Sequence, residues 1–252
     1  MKTLYGVNGL VHWNQREINT RERLIPFFAE EISSFLLGEN RAWQIERTEA
    51  PMMLPASMVN PNYTSDDIWI FANEDAQLVA RPETTASTYA WMVDQLSNHE
   101  GLRLPYACWQ VGKSFRNEQD QVLSHMRLKE FYQMEFQCAY SAETANDYQE
   151  KSLEVIRHMI WMATRLPTRI VESDRLPSYS LRTMDIEVDT GPRWMEVCSI
   201  SKRTDFPIKN RYQNKKKEWM ETDVLVLEIA IGLDRVVHAS NVSEESDCIK
   251  KP

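Results

Sequence analysis

The chain has 252 residues, 42% of them hydrophobic and 26% charged, with 29 Lys and Arg against 37 Asp and Glu for a net charge of -8. That length suits one large domain or a domain with a small appendage, and the composition is ordinary for a soluble globular protein. The acidic balance excludes broad, sequence-independent nucleic-acid binding, which depends on phosphate neutralisation.

No apolar run approaches the roughly 20 residues that span a bilayer, and the N-terminus MKTLYGVNGL lacks a signal-peptide core. Cys108, Cys138, Cys198 and Cys248 show neither CxxC pairing nor zinc-finger spacing. The expectation is a cytoplasmic protein with buried free thiols and no membrane partner. No repeat, low-complexity tract or long linker divides the chain, so residues 1–252 read as a single domain.

Behind GLVHWNQREINT, the residues Leu24, Phe28, Ile32 and Phe35 or Leu36 recur at helical spacing. Pro26 is tolerable only near the start of that helix, and Gly38 ends it. RAWQIERTEAPMML reads as a strand interrupted at Pro51, where a proline suits an edge or an interface. ETTASTYAWMVDQLSNH predicts a helix. A β-hairpin follows from about residue 106 to 138, around a loop near residues 119–125.

Residues 142–166 predict a long amphipathic helix with Leu153, Ile156, Met159, Ile160 and Ala163 on its apolar side. SLRTMDIEV and RWMEVCSIS are short strands, and DVLVLEIAIG is a buried strand that runs into LDRVVHAS, the first turns of a helix. Ahead of that strand, IKNRYQNKKKEW holds the dense basic patch Lys209, Arg211, Lys215, Lys216 and Lys217. It reads as a solvated loop or helix start, or as a phosphate or nucleic-acid contact. Strands dominate the middle and end with helices inserted between them, which points to an α+β fold with a largely antiparallel sheet.

The hairpin carries the chemistry. Residues two apart on a strand share a face, so Arg116 and Glu118 point together from its first strand. Arg127, Lys129, Phe131, Gln133, Glu135 and Gln137 form a polar row on its second. The opposite face, Leu128, Tyr132, Met134, Phe136 and Cys138, is a core face apart from Glu130. One buried side, with arginine, glutamate and an aromatic ring on the other, suits a nucleotide. Glu196 in RWMEV and Glu228 and Arg235 in EIAIGLDR could converge on the same cleft.

In that order these fragments resemble a class II aminoacyl-tRNA synthetase core, most closely the glycyl-tRNA synthetase type. FRNE followed by Arg127-LKE-Phe131 resembles the second signature motif of the family, and EIAIGLDR resembles its third. Residues 24–55 with Pro51 match the first loosely. ARPETTAST and RWMEVCSISKRTDF resemble glycyl-type segments. The resemblance covers nearly the whole chain and implies an antiparallel sheet flanked by helices, as well as a homodimer formed around Pro51.

It also implies a reaction: a small amino acid, glycine first, is activated by ATP to an aminoacyl-adenylate and passed to an acceptor, a tRNA, a carrier protein or another nucleophile. By resemblance Arg116 and Arg235 are catalytic, Arg116 at the α-phosphate and Arg235 at the far end of a bent triphosphate. Phe131 stacks on adenine, Glu118 accepts from its amino group, and Arg127, Asn117 and Val197 complete the ATP site. Glu196 is the Mg²⁺ ligand, since Mg²⁺ takes few protein carboxylates beside substrate phosphates. Glu83, Gln133, Glu135, Glu228 and Ala230 form the amino-acid site.

Ala230 departs from the glycyl pattern, which carries a serine there, and the lost hydroxyl leaves alanine and serine open as substrates. Only NVSEESDCIKKP lies beyond the helix from Leu233, so an anticodon-binding domain is expected to be absent. The alternative is a non-catalytic synthetase-like paralogue that binds nucleic acid or protein.

Overall fold

The computed structural model describes residues 5–7, 9–72, 77–98, 102–118, 126–144, 146–174, 177–213 and 216–249. The expected hairpin loop at 119–125, Lys215 and the Cys248 side chain lie outside the described parts. In chain order the elements are β1 (Tyr5–Val7), β2 (Leu10–His12), α1 (Gln15–Glu39), β3 (Gln44–Arg47), β4 (Met53–Pro55), β5 (Trp69–Ala72) and β6 (Gln77–Ala80). Then come α2 (Thr85–Asn98), β7 (Tyr106–Phe115), β8 (Glu130–Ser141), α3 (Tyr148–Thr164), β9 (Thr168–Glu172) and β10 (Ser180–Asp189). The chain continues with β11 (Trp194–Arg203), β12 (Asn210–Gln213), β13 (Trp219–Thr222), β14 (Val224–Gly232) and α4 (Leu233–Ile249).

Among the described residues the central sheet has seven strands in the order β3-β7-β8-β14-β11-β10-β9, antiparallel except where β3 runs parallel to β7. This is the expected α+β architecture. One sheet face, including Met134, Phe136, Cys138, Ile229, Ile231, Cys198 and Ile200, packs with Leu24, Phe28, Ile32 and Leu36 of α1, the apolar side of α3 and the start of α4. A second cluster, Tyr89, Met92, Tyr106, Cys108, Phe206, Val224 and Val226, anchors α2. Cys108, Cys138 and Cys198 are buried and free.

Helix α1 starts well before the first periodic apolar residue. Asn14 accepts from the Glu17 amide at 3.1 Å, and Glu17 accepts from the Asn14 amide at 2.8 Å. This capping box fixes the helix start. Pro26 therefore sits inside the helix, contrary to expectation, and Gly38 lies within its last turn. The missing proline hydrogen bond is offset by burial of the stripe from Leu24 to Leu36.

Helix α3 begins at Tyr148, later than expected, because β8 continues to Ser141 and the Ala142 amide bonds Asp223 O at 2.9 Å. Arg165, at φ 58, closes it.

The hairpin also needs correction. Strand β7 ends at Phe115 and β8 begins at Glu130, so Arg116, Glu118 and Arg127 lie just beyond the strands. The ladder continues one step, with the Arg116 amide on Lys129 O at 2.9 Å. Gln133, Glu135 and Gln137 are buried as deeply as the apolar face behind them. The basic patch is not a helix start: Arg211 lies on β12, whereas Lys216 and Lys217 lie in the turn between β12 and β13, which pair as a two-stranded hairpin.

Candidate active site

The register of three strands builds the floor of the site. Glu228 lies opposite Gln137 and Ser201, and Ala230 lies opposite Glu135 and Ser199. These side chains share the sheet face turned away from the helical core, and all but the fully buried Gln137 line a cavity of about 930 Å³. Every site residue selected from the sequence lines it: Glu83, Arg116, Asn117, Glu118, Arg127, Phe131, Gln133, Glu135, Glu196, Val197, Glu228, Ala230 and Arg235.

One end gathers carboxylates. Glu135 accepts from Gln133 Nε2 at 2.6 Å, from Thr85 Oγ1 at 3.3 Å and from the Thr84 hydroxyl. Glu228 accepts from Gln137 Nε2 at 2.8 Å, Thr85 Oγ1 at 3.1 Å and Arg203 Nη1 at 2.5 Å. Glu83 accepts from the Tyr63 hydroxyl at 3.0 Å. Burial, with repulsion from Glu228 and Glu83, pushes the Glu135 carboxyl up to about 8 against the Thr84 hydroxyl and the Arg203 charge. Burial and Glu228 likewise raise Glu83, opposed by Arg203 and Arg116.

Arg203, Tyr63, Tyr179, Thr84 and Thr85 were missed from the sequence. Arg203 is buried, pairs with Asp205 at 3.0 and 2.6 Å as well as with Glu228, and lies 3.8 Å over the Tyr179 ring. The available signal was an arginine at the end of an apolar strand with an aspartate two residues later. The RPET arginine, Arg81, is structural. Its guanidinium donates to Lys113 O at 2.8 Å, Ala50 O at 2.9 Å and Gln110 Oε1 at 3.2 Å, binding three segments under the cavity wall.

In the middle, the Arg116 guanidinium lies 5.6 Å from the Tyr63 ring and 5.2 Å from the Phe131 ring, and its Nε donates to Pro82 O at 3.1 Å. Burial works against its charge, but Tyr63, Glu83, Glu118 and Glu135 outweigh that and hold it firmly protonated. Asn117 donates to the backbone carbonyls of Asp66 at 3.1 Å and Asp67 at 2.9 Å, which brings the 60–67 segment over the cavity. At the other end Arg127 lies 3.9 Å from Glu118. Arg235 Nη1 donates to Glu196 O at 3.0 Å and is 3.4 Å from its carboxylate.

The cavity thus offers a carboxylate-lined end for a small cation, a half-buried guanidinium at its centre, an aromatic face and a second guanidinium beyond. Among the described residues no three His, Cys, Asp or Glu side chains are placed to hold a metal ion between them. A Mg²⁺ carried by substrate phosphates needs only one or two carboxylates, and Glu196 supplies one at the wall. Burial, Glu196 and Glu187 raise the neighbouring Asp185 carboxyl, a negative field that a divalent cation would relieve. The donor set fits a phosphate-borne Mg²⁺.

Fold and cavity together define a class II synthetase core. The tRNA synthetase class II core domain (G, H, P, S and T) matches residues 64–242, and the chain belongs to that family. It is 29% identical over 171 residues to the glycine–tRNA ligase of Mycoplasmopsis synoviae, which covers 63% of this chain and 38% of that protein. It is 31% identical over 183 residues to the glycine–tRNA ligase of Mycoplasma capricolum, which covers 66% of this chain and 39% of that protein. The chain therefore spans about two fifths of the length of these curated relatives. The fold is shared with Giardia lamblia prolyl-tRNA synthetase in complex with prolyl-adenylate, at a TM-score of 0.71 and 18% identity, over 94% of this chain and 48% of that one.

Proposed function

We propose that the chain activates a small amino acid, glycine first among candidates, with ATP, and passes the aminoacyl group from its adenylate to an acceptor. The observation that carries this reading is the cavity's polarity. Glu83, Glu135 and Glu228 converge at one end, while Arg116 and Arg235 stand at the centre and the far end.

The α-ammonium sits among the three carboxylates, its charge offsetting their mutual repulsion. That places the substrate carboxylate toward Arg116. One of its oxygens attacks the α-phosphorus, the bond to the bridging oxygen breaks, and pyrophosphate leaves with that electron pair. The attacking group is already ionised, so no general base is needed. Arg116 bridges the two anions as they approach, and Arg235 holds the far phosphate. Rate comes from positioning and preorganised charge rather than from proton transfer.

Phe131 offers its ring to adenine, with Glu118, Asn117, Arg127 and Val197 around the nucleotide. Glu196 would hold the Mg²⁺, which would neutralise phosphate charge. In the second step an acceptor nucleophile attacks the acyl carbon and AMP leaves. A tRNA is the acceptor that the family resemblance favours, and a carrier protein is the runner-up.

ATP–pyrophosphate exchange, surveyed across amino acids, tests the first step. Exchange with glycine and weakly with alanine or serine is expected. Exchange with none would overturn the reading in favour of a non-catalytic paralogue. Labelled glycine offered with bulk tRNA or a carrier-protein preparation then identifies the acceptor.

The chain is also proposed to form a homodimer through the region around Pro51. Close by, the small β4-β6-β5 sheet exposes Met53, Trp69, Ile70 and Phe71.

A further inference from the structure

Residues 61–67 are exposed except for Tyr63, which is half-buried and lines the cavity with its neighbours Asn62 and Asp67. Consecutive turns shape this segment. The Tyr63 amide donates to Asn60 O at 3.0 Å, and the Asp67 amide donates to Thr64 O at 3.1 Å. Asp67 Oδ2 accepts from the Thr64 amide at 2.8 Å and from its hydroxyl at 2.7 Å, a local side-chain bond that closes the second turn on itself. The segment is anchored on both sides of Tyr63. Asn117 bonds the carbonyls of Asp66 and Asp67 as described above, and Ser178 Oγ donates to Asn62 Oδ1 at 3.4 Å.

Held this way, Tyr63 meets two groups of the site at once. Its hydroxyl donates to Glu83 Oε2 at 3.0 Å, and its ring lies 5.6 Å from the Arg116 guanidinium. That guanidinium donates through Nε to Pro82 O at 3.1 Å, the residue before Glu83, so the contacts among Tyr63, Arg116 and the Pro82-Glu83 pair close on themselves. Burial pushes the phenol well above its ordinary range, so it stays a hydroxyl and a donor. Burial and Glu228 raise the Glu83 carboxyl, and this hydrogen bond acts with Arg203 and Arg116 to favour its ionised form. We propose that Tyr63 is a positioning residue of the amino-acid site, whose hydroxyl holds the Glu83 carboxylate for the substrate ammonium while its ring steadies Arg116 for the substrate carboxylate. One side chain on a surface segment thus couples the groups that meet the two charged ends of an amino acid. The inference rests on the amino-acid-site reading above. Glu135 and Glu228 are held by Gln133, Gln137, Arg203 and the two threonines instead, so the hydroxyl acts through Glu83.

ATP–pyrophosphate exchange on the full chain separates the two contacts. Tyr63→Phe keeps the ring and removes the hydroxyl. The KM for glycine should rise about tenfold, with kcat and the KM for ATP each within about twofold of wild type. Tyr63→Leu removes the ring as well, and kcat should then fall about tenfold in addition, because Arg116 serves the step that joins carboxylate and phosphate. Tyr63→Phe keeps nearly all of the packing, so it reports even where Tyr63→Leu does not fold. A double-mutant cycle tests whether the hydroxyl acts through Glu83. In a Glu83→Gln background, adding Tyr63→Phe should lower kcat/KM for glycine by less than about twofold. Equal rises in the KM for glycine and for ATP, or losses that multiply in the double variant, would show a merely structural role, and variants indistinguishable from wild type would show no role; each overturns the proposal. Wild-type protein that exchanges with no amino acid overturns the amino-acid-site reading and this proposal with it, a result distinct from wild-type exchange that the variants leave unaltered.

Discussion

Glu135 sits at the bottom of the amino-acid end, and its carboxyl is pushed up to about 8 by burial and by Glu228 and Glu83. That shift favours the protonated carboxyl when no ammonium is present, whereas an ammonium ligand favours the ionised form. The KM for the amino acid should fall as pH rises toward 8 and level off above it, read from pyrophosphate exchange at fixed ATP. Glu135→Gln should flatten that profile and raise KM roughly 10–100-fold, the loss of a hydrogen bond to a charged group worth about 1.5–3 kcal/mol. A slope that survives the substitution would place the titrating group elsewhere. Stability follows the same proton. The folded state holds it more tightly than the unfolded chain between the ordinary carboxyl range and about 8, so this group's contribution is present at low pH and is lost as pH rises through that window. Glu135→Gln should accordingly raise the melting temperature more at pH 9 than at pH 5. Ala230 lies beside Glu135 in the ladder and offers a methyl group to the same cavity. Restoring a hydroxyl with Ala230→Ser removes apolar room, so the glycine-to-alanine ratio of kcat/KM should rise, within the limit of about 1–3 kcal/mol that such a pocket can supply. An unchanged ratio would show that Ala230 does not form the wall that a substrate side chain meets.

At the scale of elements, the β7–β8 hairpin is held to the rest by a contact that only glycine permits. A Cβ on Gly112 would lie 1.9 Å from Arg81 Nη2. That guanidinium is the end of a long side chain, but its bonds to Lys113, Ala50 and Gln110 leave it little freedom to move. Gly112→Ala should destabilise the fold by about 1–3 kcal/mol, the usual cost of overpacking a filled site, seen as a lower urea midpoint at unchanged m-value. An unchanged midpoint would mean that Arg81 can swing aside without loss. This dependence was invisible in the sequence, because it joins residues 31 positions apart through a buried ion with no periodic signature. What could be read were the features that repeat locally: the alternation along β8, the helical stripe of α1, and the apolar run of β14 broken by one glutamate. Misread features followed competing rules. Capping by Asn14 outweighed Pro26 as a boundary signal, and the short strands β12 and β13 were hidden under lysines that suggested a loop. Arg203 was hidden within a quoted motif, because its partners Glu228 and Tyr179 come from other parts of the chain and only the fold brings them together.

The whole molecule presents one surface that a solitary copy would leave poorly covered. In the β4-β6-β5 sheet β6 is central, so β5 is an edge strand. Edge strands invite pairing with another chain unless charged residues or covering elements blunt them. Here the edge carries Trp69, Ile70 and Phe71, exposed by 40%, 46% and 51%, and Met53 on the other edge strand is 39% exposed. No charge falls within the β5 segment WIFA itself, and from outside it the Lys129 ammonium lies 5.3 Å over the Trp69 ring. The same sheet is joined to the site, since the Arg81 amide bonds Met52 O at 2.9 Å and Glu83 follows two residues later. A partner that covers this face would therefore also steady the segment that delivers Glu83. Replacing Ile70 and Phe71 together by glutamate should halve the mass found by light scattering to the 29.6 kDa of one chain. The helical content should stay unchanged, and amino-acid-dependent exchange should fall more than ATP affinity does. Wild-type protein that is already a monomer at micromolar concentration would remove the dimer reading, and a monomeric variant with full exchange would separate assembly from the placement of Glu83.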